Sequence, residues 1–518
     1  SRGKGEPVMT DYPIQPISFT SAHIHDSFWL PRLETNRRVT LPVCFQKCEE
    51  TGRLSNFAKA AGRLEGPFQG IRFDDSDVFK VVEGAAYTLS LEEDPQLDAF
   101  LDRLIEDFAG AQEPDGYLYT NRTIDPEHPA PGAGEDRWSH LKQSHELYNI
   151  GHMYEAAVAH HRATDKDSFL DVAFKSANLV DQEFGAGKRQ DPPGHQEIEI
   201  GLAKLYRVSG DPRYLGLAKF FLDARGRGDK RERYGEEMQD HLPVTEQKVA
   251  VGHAVRAGYM YSAMADVAAL TGNRDYRETL DALWEDVVSG KLYLTGGIGA
   301  RRHHESFGDP YELPNASAYN ETCAAIANMF WNHRMFLLHG ESKYMDIFER
   351  TLYNGFLSGV GMSGDRFFYP NPLATDGQTD FNQGRKERAP WFDCSCCPVN
   401  IVRFVPSLSG YIYAQKDDSI FVNLYIGGEA EIDLPATPVT LSQETDYPWD
   451  GKVVLTLNPD KEAAFTLKLR IPGWAAGQPV PSDLYSYEDK ETADISIKVN
   501  GERIDSSTED GYAILNRS

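Results

Sequence analysis

The stretch Gly210-Asp211-Pro212-Arg213-Tyr214-Leu215 decides how most of this chain is read. It joins a Gly/Asp turn to a proline, an aromatic residue and the start of an apolar run at helical spacing. The proline suits the first turn of a helix, where a missing N–H leaves no bond unmade. The same order returns, degenerately, at Glu93-Asp94-Pro95-Gln96-Leu97, Asp165-Lys166-Asp167-Ser168-Phe169-Leu170, Gly272-Asn273-Arg274-Asp275-Tyr276 and Gly340-Glu341-Ser342-Lys343-Tyr344. Each copy follows one amphipathic helix and opens another. Such units cannot bury their apolar faces singly, so they must stack or close on themselves. Their spacing is too uneven for a regular solenoid. About six helical hairpins closed into an α/α toroid over positions 24–407 fit the pattern. Long insertions rich in Gly, Pro, His and aromatics, such as positions 296–315, would then gather at one end of the ring.

After Ser407 the periodicity turns from helical to alternating. Tyr411-Ile412-Tyr413, Ser419 to Ile426, Val453 to Leu457, Phe465 to Ile471, Ile495 to Val499 and Gly511 to Leu515 read as strands. Gly, Pro, Asp and Asn turns separate them, the pattern of a β-sandwich over 408–518. The last strand has no successor, which leaves open whether the β region is incomplete at its C-terminal end. Residues 1–23 are expected to form an N-terminal segment packed on the β domain. That segment opens without Met and without the apolar core of a signal peptide, and is read as a processed or engineered start.

Composition excludes several partners. The 518 residues carry 79 acidic against 53 basic side chains, a formal charge of −26. Such a surface repels phosphate backbones and anionic lipid, which argues against nucleic-acid or membrane-surface binding. No stretch approaches the ~20 uninterrupted apolar residues that a membrane span needs.

The six cysteines are Cys44, Cys48, Cys323, Cys394, Cys396 and Cys397, with three packed into four positions. That clustering is not a disulfide framework. Two segments stand out: His303-His304-Glu305-Ser306-Phe307-Gly308, running on to Asn320-Glu321-Thr322-Cys323, and Trp391-Phe392-Asp393-Cys394-Ser395-Cys396-Cys397-Pro398. Glu-x-Cys with Cys-Cys offers one carboxylate and three thiolates, a four-ligand zinc set without zinc-finger spacing. A carboxylate among thiolates suits a site that stays adjustable rather than a purely structural one. Zinc would also hold a thiol as thiolate at neutral pH. Cys44 and Cys48, at i and i+4 of an apparent helix, read as core.

His145, His152, His195 and His253 lie in different segments from one another and from the pair His303-His304, and on successive hairpins several could converge with Gln46, Glu349 and Tyr369. Imidazoles, amides and aromatics suit a hydroxyl-rich ligand. Glu305 and Glu321 are the carboxylates to test first. Glycoside cleavage needs a carboxyl that protonates the leaving oxygen and a second group that attacks the anomeric carbon. Here that second group could be a metal-activated thiolate.

These motifs, His-Glu-Ser-Phe-Gly at 304–308, Glu-Thr-Cys at 321–323 and Cys-x-Cys-Cys-Pro at 394–398, resemble glycoside hydrolase family 127, the β-L-arabinofuranosidase family with a zinc-bound cysteine nucleophile. The resemblance spans the helical region and runs into the β domain. It implies a mainly α fold with β: an (α/α)6 barrel catalytic domain followed by a C-terminal β-sandwich. It implies that Glu321, Cys323, Cys396 and Cys397 bind Zn2+, that Cys396 is the nucleophile and that Glu305 is the general acid/base of a retaining reaction. It further implies that Gln46, His145, His195, His253, Glu349 and Tyr369 line the sugar pocket, and it leaves Cys394 without a role. The substrate would be a small oligosaccharide or plant cell-wall glycan bearing β-L-arabinofuranose, with a homodimer left open.

Three alternatives stay open. One is another pectic sugar such as aceric acid, a carboxylated glycone that would want Arg301, Arg302 or Arg403 nearby. Another is a zinc-stapled carbohydrate-binding protein without turnover, and a third is a thiol oxidoreductase using Cys394 and Cys396. The substrate class suggests a periplasmic or otherwise exported bacterial protein, with the cytoplasm as the alternative.

Overall fold

The computed structural model describes residues 10–489 and 492–518. Helices α1 (Leu30–Thr35), α2 (Leu41–Glu50) and α3 (Arg53–Ala60) lead into a first hairpin, α4 (Asp75–Leu91) with α5 (Pro95–Ala111). Two short helices follow, α6 (Thr120–Ile124) and α7 (Leu141–Ser144). Then come α8 (Glu146–Thr164) with α9 (Ser168–Glu183), α10 (Ile198–Ser209) with α11 (Pro212–Ala224), α12 (Ala254–Thr271) with α13 (Arg274–Gly290) and α14 (Thr322–His339) with α15 (Ser342–Arg350). Helix α16 (Cys396–Phe404) ends the helical region.

The repeated turn signature marks the hairpin tips, and local chemistry explains why. The Asp94 carboxylate accepts from the backbone N–H groups of Gln96 and Leu97, Asp211 from Arg213, and the Asn273 amide oxygen from Tyr276. Each satisfies N–H groups that a helix start leaves orphaned. Gly210, Gly272 and Gly340 take the left-handed conformation that ends the preceding helix.

Burial divides the helices into two classes. Helix α12 buries every residue from Ala254 to Leu270, whereas α13 buries one stripe, Tyr276, Thr279, Leu280, Leu283, Trp284, Val287 and Val288. A helix apolar all round belongs inside, and a striped one outside. The inner helices contact one another in succession: α4 with α8, α8 with α10, α10 with α12, α12 with α14, α14 with α16, and α16 with α4 again. Gly84 lets α4 and α16 close up, since a Cβ there would sit 2.6 Å from Val402.

The strands are β1 (Gln15–Pro16), β2 (Ala22–Ile24), β3 (Tyr413–Lys416), β4 (Ser419–Val422), β5 (Gly428–Asp433), β6 (Pro438–Thr445), β7 (Val453–Pro459), β8 (Phe465–Arg470), β9 (Ile497–Val499), β10 (Glu502–Ile504), β11 (Ser507–Glu509) and β12 (Tyr512–Arg517). They form a six-stranded sheet in the order β1-β3-β4-β8-β12-β11, a four-stranded sheet β2-β5-β6-β7 and the pair β10-β9. The N-terminal segment supplies one edge strand to each large sheet: β1 pairs with β3 and β2 with β5. Residues 1–9 of that segment lie outside the described residues. Tyr411, expected in a strand, instead ends a 3-10 turn over Val405–Tyr411, and the strand begins at Tyr413. Strands β5 and β6 were not expected. Their buried faces are short or partly polar, Ala430 and Ile432 in one and Val439, Leu441 and Gln443 in the other.

Helices and sheets lock together at Arg470 of β8, fully buried, whose guanidinium donates to Asp346 at 2.6 Å and to Glu349, both on α15. No helix among the described residues is long and apolar enough to cross a membrane.

Candidate active site

Two helix starts bring the cysteines together. Glu321 caps α14, Cys323 sits in its first turn, and Cys396 and Cys397 open α16. Helix N-termini favour negative charge, so this placement suits thiolates and a carboxylate. The loop ahead of α16 is pinned from both sides. Ser395 Oγ accepts from the Phe392 N–H at 2.9 Å, and the buried Arg53 donates to the Asp393 carbonyl at 2.7 Å while paired with Asp77.

Glu321 Oε1 lies 3.4 Å from Sγ of both Cys396 and Cys397, and those sulfurs are 3.9 Å apart. One ligand atom from each of Glu321, Cys323, Cys396 and Cys397 falls within 4.8 Å of every other. All six cysteines are free thiols. Burial, then the neighbouring Glu305, pushes the Glu321 carboxyl well above its usual range, and its Oε2 is buried without a partner. A cation placed among these donors would supply what is missing and reverse that shift. The donor set therefore fits a bound metal ion.

Glu305 reaches the same cluster from a different loop. It accepts from His253 Nε2 at 2.8 Å and from the Tyr319 hydroxyl at 3.0 Å, and it groups with His253 and Glu321 within 4.8 Å. Burial works to raise its pKa, but the bond and charge of His253 and the bond from Tyr319 outweigh it, so the proton of this close carboxyl pair rests on Glu321; a cation among the Glu321 donors would displace that proton toward Glu305. His304 and Glu305 both take positive φ, 55° and 50°, and Asn320 and His145 do the same at 42° and 59°. Non-glycine residues held there store strain of the kind that collects at functional sites.

The loop is clamped by a segment that sequence reasoning did not single out. The Glu237 carboxylate meets Arg256 Nη1 at 3.2 Å and His304 Nδ1 at 3.1 Å, and its carbonyl accepts from the His253 N–H. Gly252, at φ 75°, permits this docking, since a Cβ there would lie 2.0 Å from the Glu236 carbonyl oxygen.

A wall of rings runs away from Glu305. His253 packs 5.7 Å from His195, which lies 4.3 Å from Tyr148 and 5.9 Å from His145. Burial, then the nearby Arg256, lowers the pKa of each: to about 3 for His145, and below the ordinary histidine value for His195 and His253. Neutral imidazoles can donate and accept toward hydroxyl groups at once. Tyr369 Oη lies 3.2 Å from Cys396 Sγ and 3.7 Å from Cys394 Sγ, which places both residues beside the cluster.

Two expected pocket residues are not brought to this group. Gln46 is exposed and donates to Glu50 one turn along its own helix, while the buried face of α2 belongs to Cys44 and Cys48. Glu349 faces the β domain, bonded to Arg470 and Trp474. The arginines considered for a carboxylated sugar are committed as well. Arg403 is buried against Glu83 and Glu155, Arg301 pairs with Glu312, and Arg302 donates to the Phe381 carbonyl. Tyr319, Tyr148, Arg256 and Glu237 escaped notice because nothing in their local sequence separates them from core aromatics and surface charges.

Known proteins carry the same architecture. Residues 21–410 match the β-L-arabinofuranosidase GH127 catalytic domain, and residues 419–518 match the GH127 middle domain. A non-reducing end β-L-arabinofuranosidase of Bifidobacterium longum subsp. longum is 36% identical over 491 residues, 89% of this chain and 71% of its own length. A solved GH127 β-arabinofuranosidase is 51% identical with a TM-score of 0.94, covering 98% of this chain and 79% of that one. A GH127 β-L-arabinofuranosidase from Geobacillus stearothermophilus T6 is 39% identical with a TM-score of 0.88, covering 96% and 79%. With both domain models matched in order along its length, the chain belongs to the GH127 β-L-arabinofuranosidase family of glycoside hydrolases.

Proposed function

We propose that this chain is a retaining β-L-arabinofuranosidase with Cys396 as nucleophile, Glu305 as general acid/base, and zinc held by Glu321, Cys323, Cys396 and Cys397. The observation that carries the reading is a shared neighbour. Glu305 and Cys396 both lie against Glu321, so an acid and a sulfur nucleophile face one small space. The glycone follows the relatives, named for β-L-arabinofuranose. The unbroken succession of inner helices supports an (α/α)6 barrel. The Gln443 to Tyr413 bond of 2.7 Å between the two large sheets supports a β-sandwich.

The reaction then has two displacements. Cys396 Sγ attacks the anomeric carbon as the glycosidic C–O bond breaks, and Glu305 gives its proton to the departing oxygen. That leaves a thioglycoside on Cys396 and a Glu305 carboxylate. Glu305 next takes a proton from water, the water oxygen attacks the same carbon, and the C–S bond breaks to return the thiolate. Bound zinc would keep the Cys396 sulfur anionic at neutral pH, both as nucleophile and as leaving group. His253 and Tyr319 hold Glu305 in place through both steps, and the histidine wall supplies hydrogen bonds to the sugar hydroxyls.

The test is an aryl β-L-arabinofuranoside assayed with Glu305→Gln and Cys396→Ser proteins. Glu305→Gln should stay folded and zinc-loaded and lose about 10²–10⁴-fold in turnover. Wild type trapped at short times should carry a pentose on the Cys396 peptide, and the first sugar released should keep the β configuration. A fully active Glu305→Gln protein, or inverted product, would overturn the mechanism.

A further inference from the structure

Lys80, on α4, is 1% exposed, and its ammonium donates to the Tyr148 hydroxyl at 2.9 Å. Among the described residues no carboxylate oxygen lies within the 4.0 Å of an ion pair. Asp77, one turn back on the same helix, is bonded to Arg53 instead. A buried ammonium without an anion is costly, and proteins keep one only where something compensates it.

Packing shows what stands opposite. Helices α4 and α16 run side by side, with Gly84 against Val402 and Glu83 paired to Arg403 at 2.9 Å. Toward the other end Arg53 bridges Asp77 to the Asp393 carbonyl, three residues before Cys396. Lys80 lies between these two ties and so comes level with the start of α16.

We infer that Lys80 is the buried counter-charge of the thiolate cluster, a positioning residue that stabilises the anionic metal site from behind. The inference rests on the zinc reading above. Zinc bound by three thiolates and a carboxylate leaves a buried dianion, and Lys80 supplies a fixed positive charge beside it. Burial alone would push the Lys80 ammonium toward neutrality, but Tyr259, Cys323, Cys396 and Asp77 together hold it above the usual lysine range.

Zinc affinity, measured by competition with a chromophoric chelator, tests this without reference to turnover. Lys80→Met keeps the length and drops the charge, and should weaken zinc binding by about 10–100-fold, the range seen when a supporting partner of a metal ligand is lost. Lys80→Arg, which keeps the charge, should stay within about threefold of wild type. Should Lys80→Met not fold, Lys80→Gln keeps a donor toward Tyr148 and takes its place with the same outcomes. Wild-type affinity in the neutral variant, or equal weakening in Lys80→Arg, overturns the role of Lys80 alone. Wild-type protein that binds no zinc overturns the metal reading, and with it the dianion that Lys80 balances.

Discussion

His253 Nε2 donates to Glu305 Oε2 across 2.8 Å, and the other ring nitrogen decides that direction. His253 Nδ1 accepts from the Arg256 N–H at 3.4 Å, capping α12, so in the neutral ring the proton sits on Nε2. One side chain thus starts a helix and aims Glu305, the proposed acid/base. His253→Ala should lower kcat by about 10–100-fold, a fraction of what general acid catalysis is worth. Steady-state kinetics check this, and a change confined to KM would show that His253 serves sugar binding alone.

Glu237 acts one step further out. Its carboxylate ties His304, the residue before Glu305, to Arg256. The left-handed backbone at His304 and Glu305 would relax without that tie, and sub-ångström displacement of a proton donor is expensive in rate. Glu237→Ala should lower kcat about tenfold or more, with Glu237→Gln recovering part of it because an amide still reaches both partners. Equal loss in the two variants would mean that charge, not position, is what Glu237 provides.

Glu349 belongs to the joint between helices and sheets. Arg470 is fully buried between Asp346 and Glu349, and removing it strands the buried Glu349 carboxylate and the half-buried Asp346. Arg470→Met should cost about 3–5 kcal/mol of stability. Glu349→Gln should also lower the urea midpoint while leaving KM for an aryl arabinofuranoside unchanged. A raised KM with unaltered stability would return Glu349 to the sugar pocket.

Local chemistry was legible in the sequence wherever it is written in adjacent residues. Turn, cap and helix start are contiguous at Asp94, Asp211 and Asn273, so the hairpins could be placed from periodicity and punctuation. The same holds for Glu321-Thr322-Cys323 and for Cys396-Cys397, each of which sits in a single helix turn. What could not be read is which face a helix turns inward and what meets it there. Gln46 shares its helix with two buried cysteines yet points to solvent, and Lys80 looks like any surface lysine until α16 is laid against it. Glu237 and His304 are 67 positions apart, and only the close approach at Gly252 brings their segments together.

His333 gives the fold an acid limit. It is buried on α14, with its ring 4.7 Å from that of Tyr411 and its Nε2 without a partner. Burial, then the neighbouring Arg334, brings its pKa to about 3 in the folded chain. The unfolded chain holds it near 6.5, so between these values the unfolded state binds more protons and stability rises with pH. Stability from this group is intact above about pH 6.5, begins to fall below it and is fully spent near pH 3. Lowering the pH from 7.5 to 5.5 should remove about 1.4 kcal/mol through His333. His145, also at about 3, should add a similar amount. Urea unfolding at the two pH values checks this when wild type is compared with His333→Gln. The variant should lose less stability on acidification by about that amount, whereas equal losses would mean that His333 keeps an ordinary pKa in the folded state.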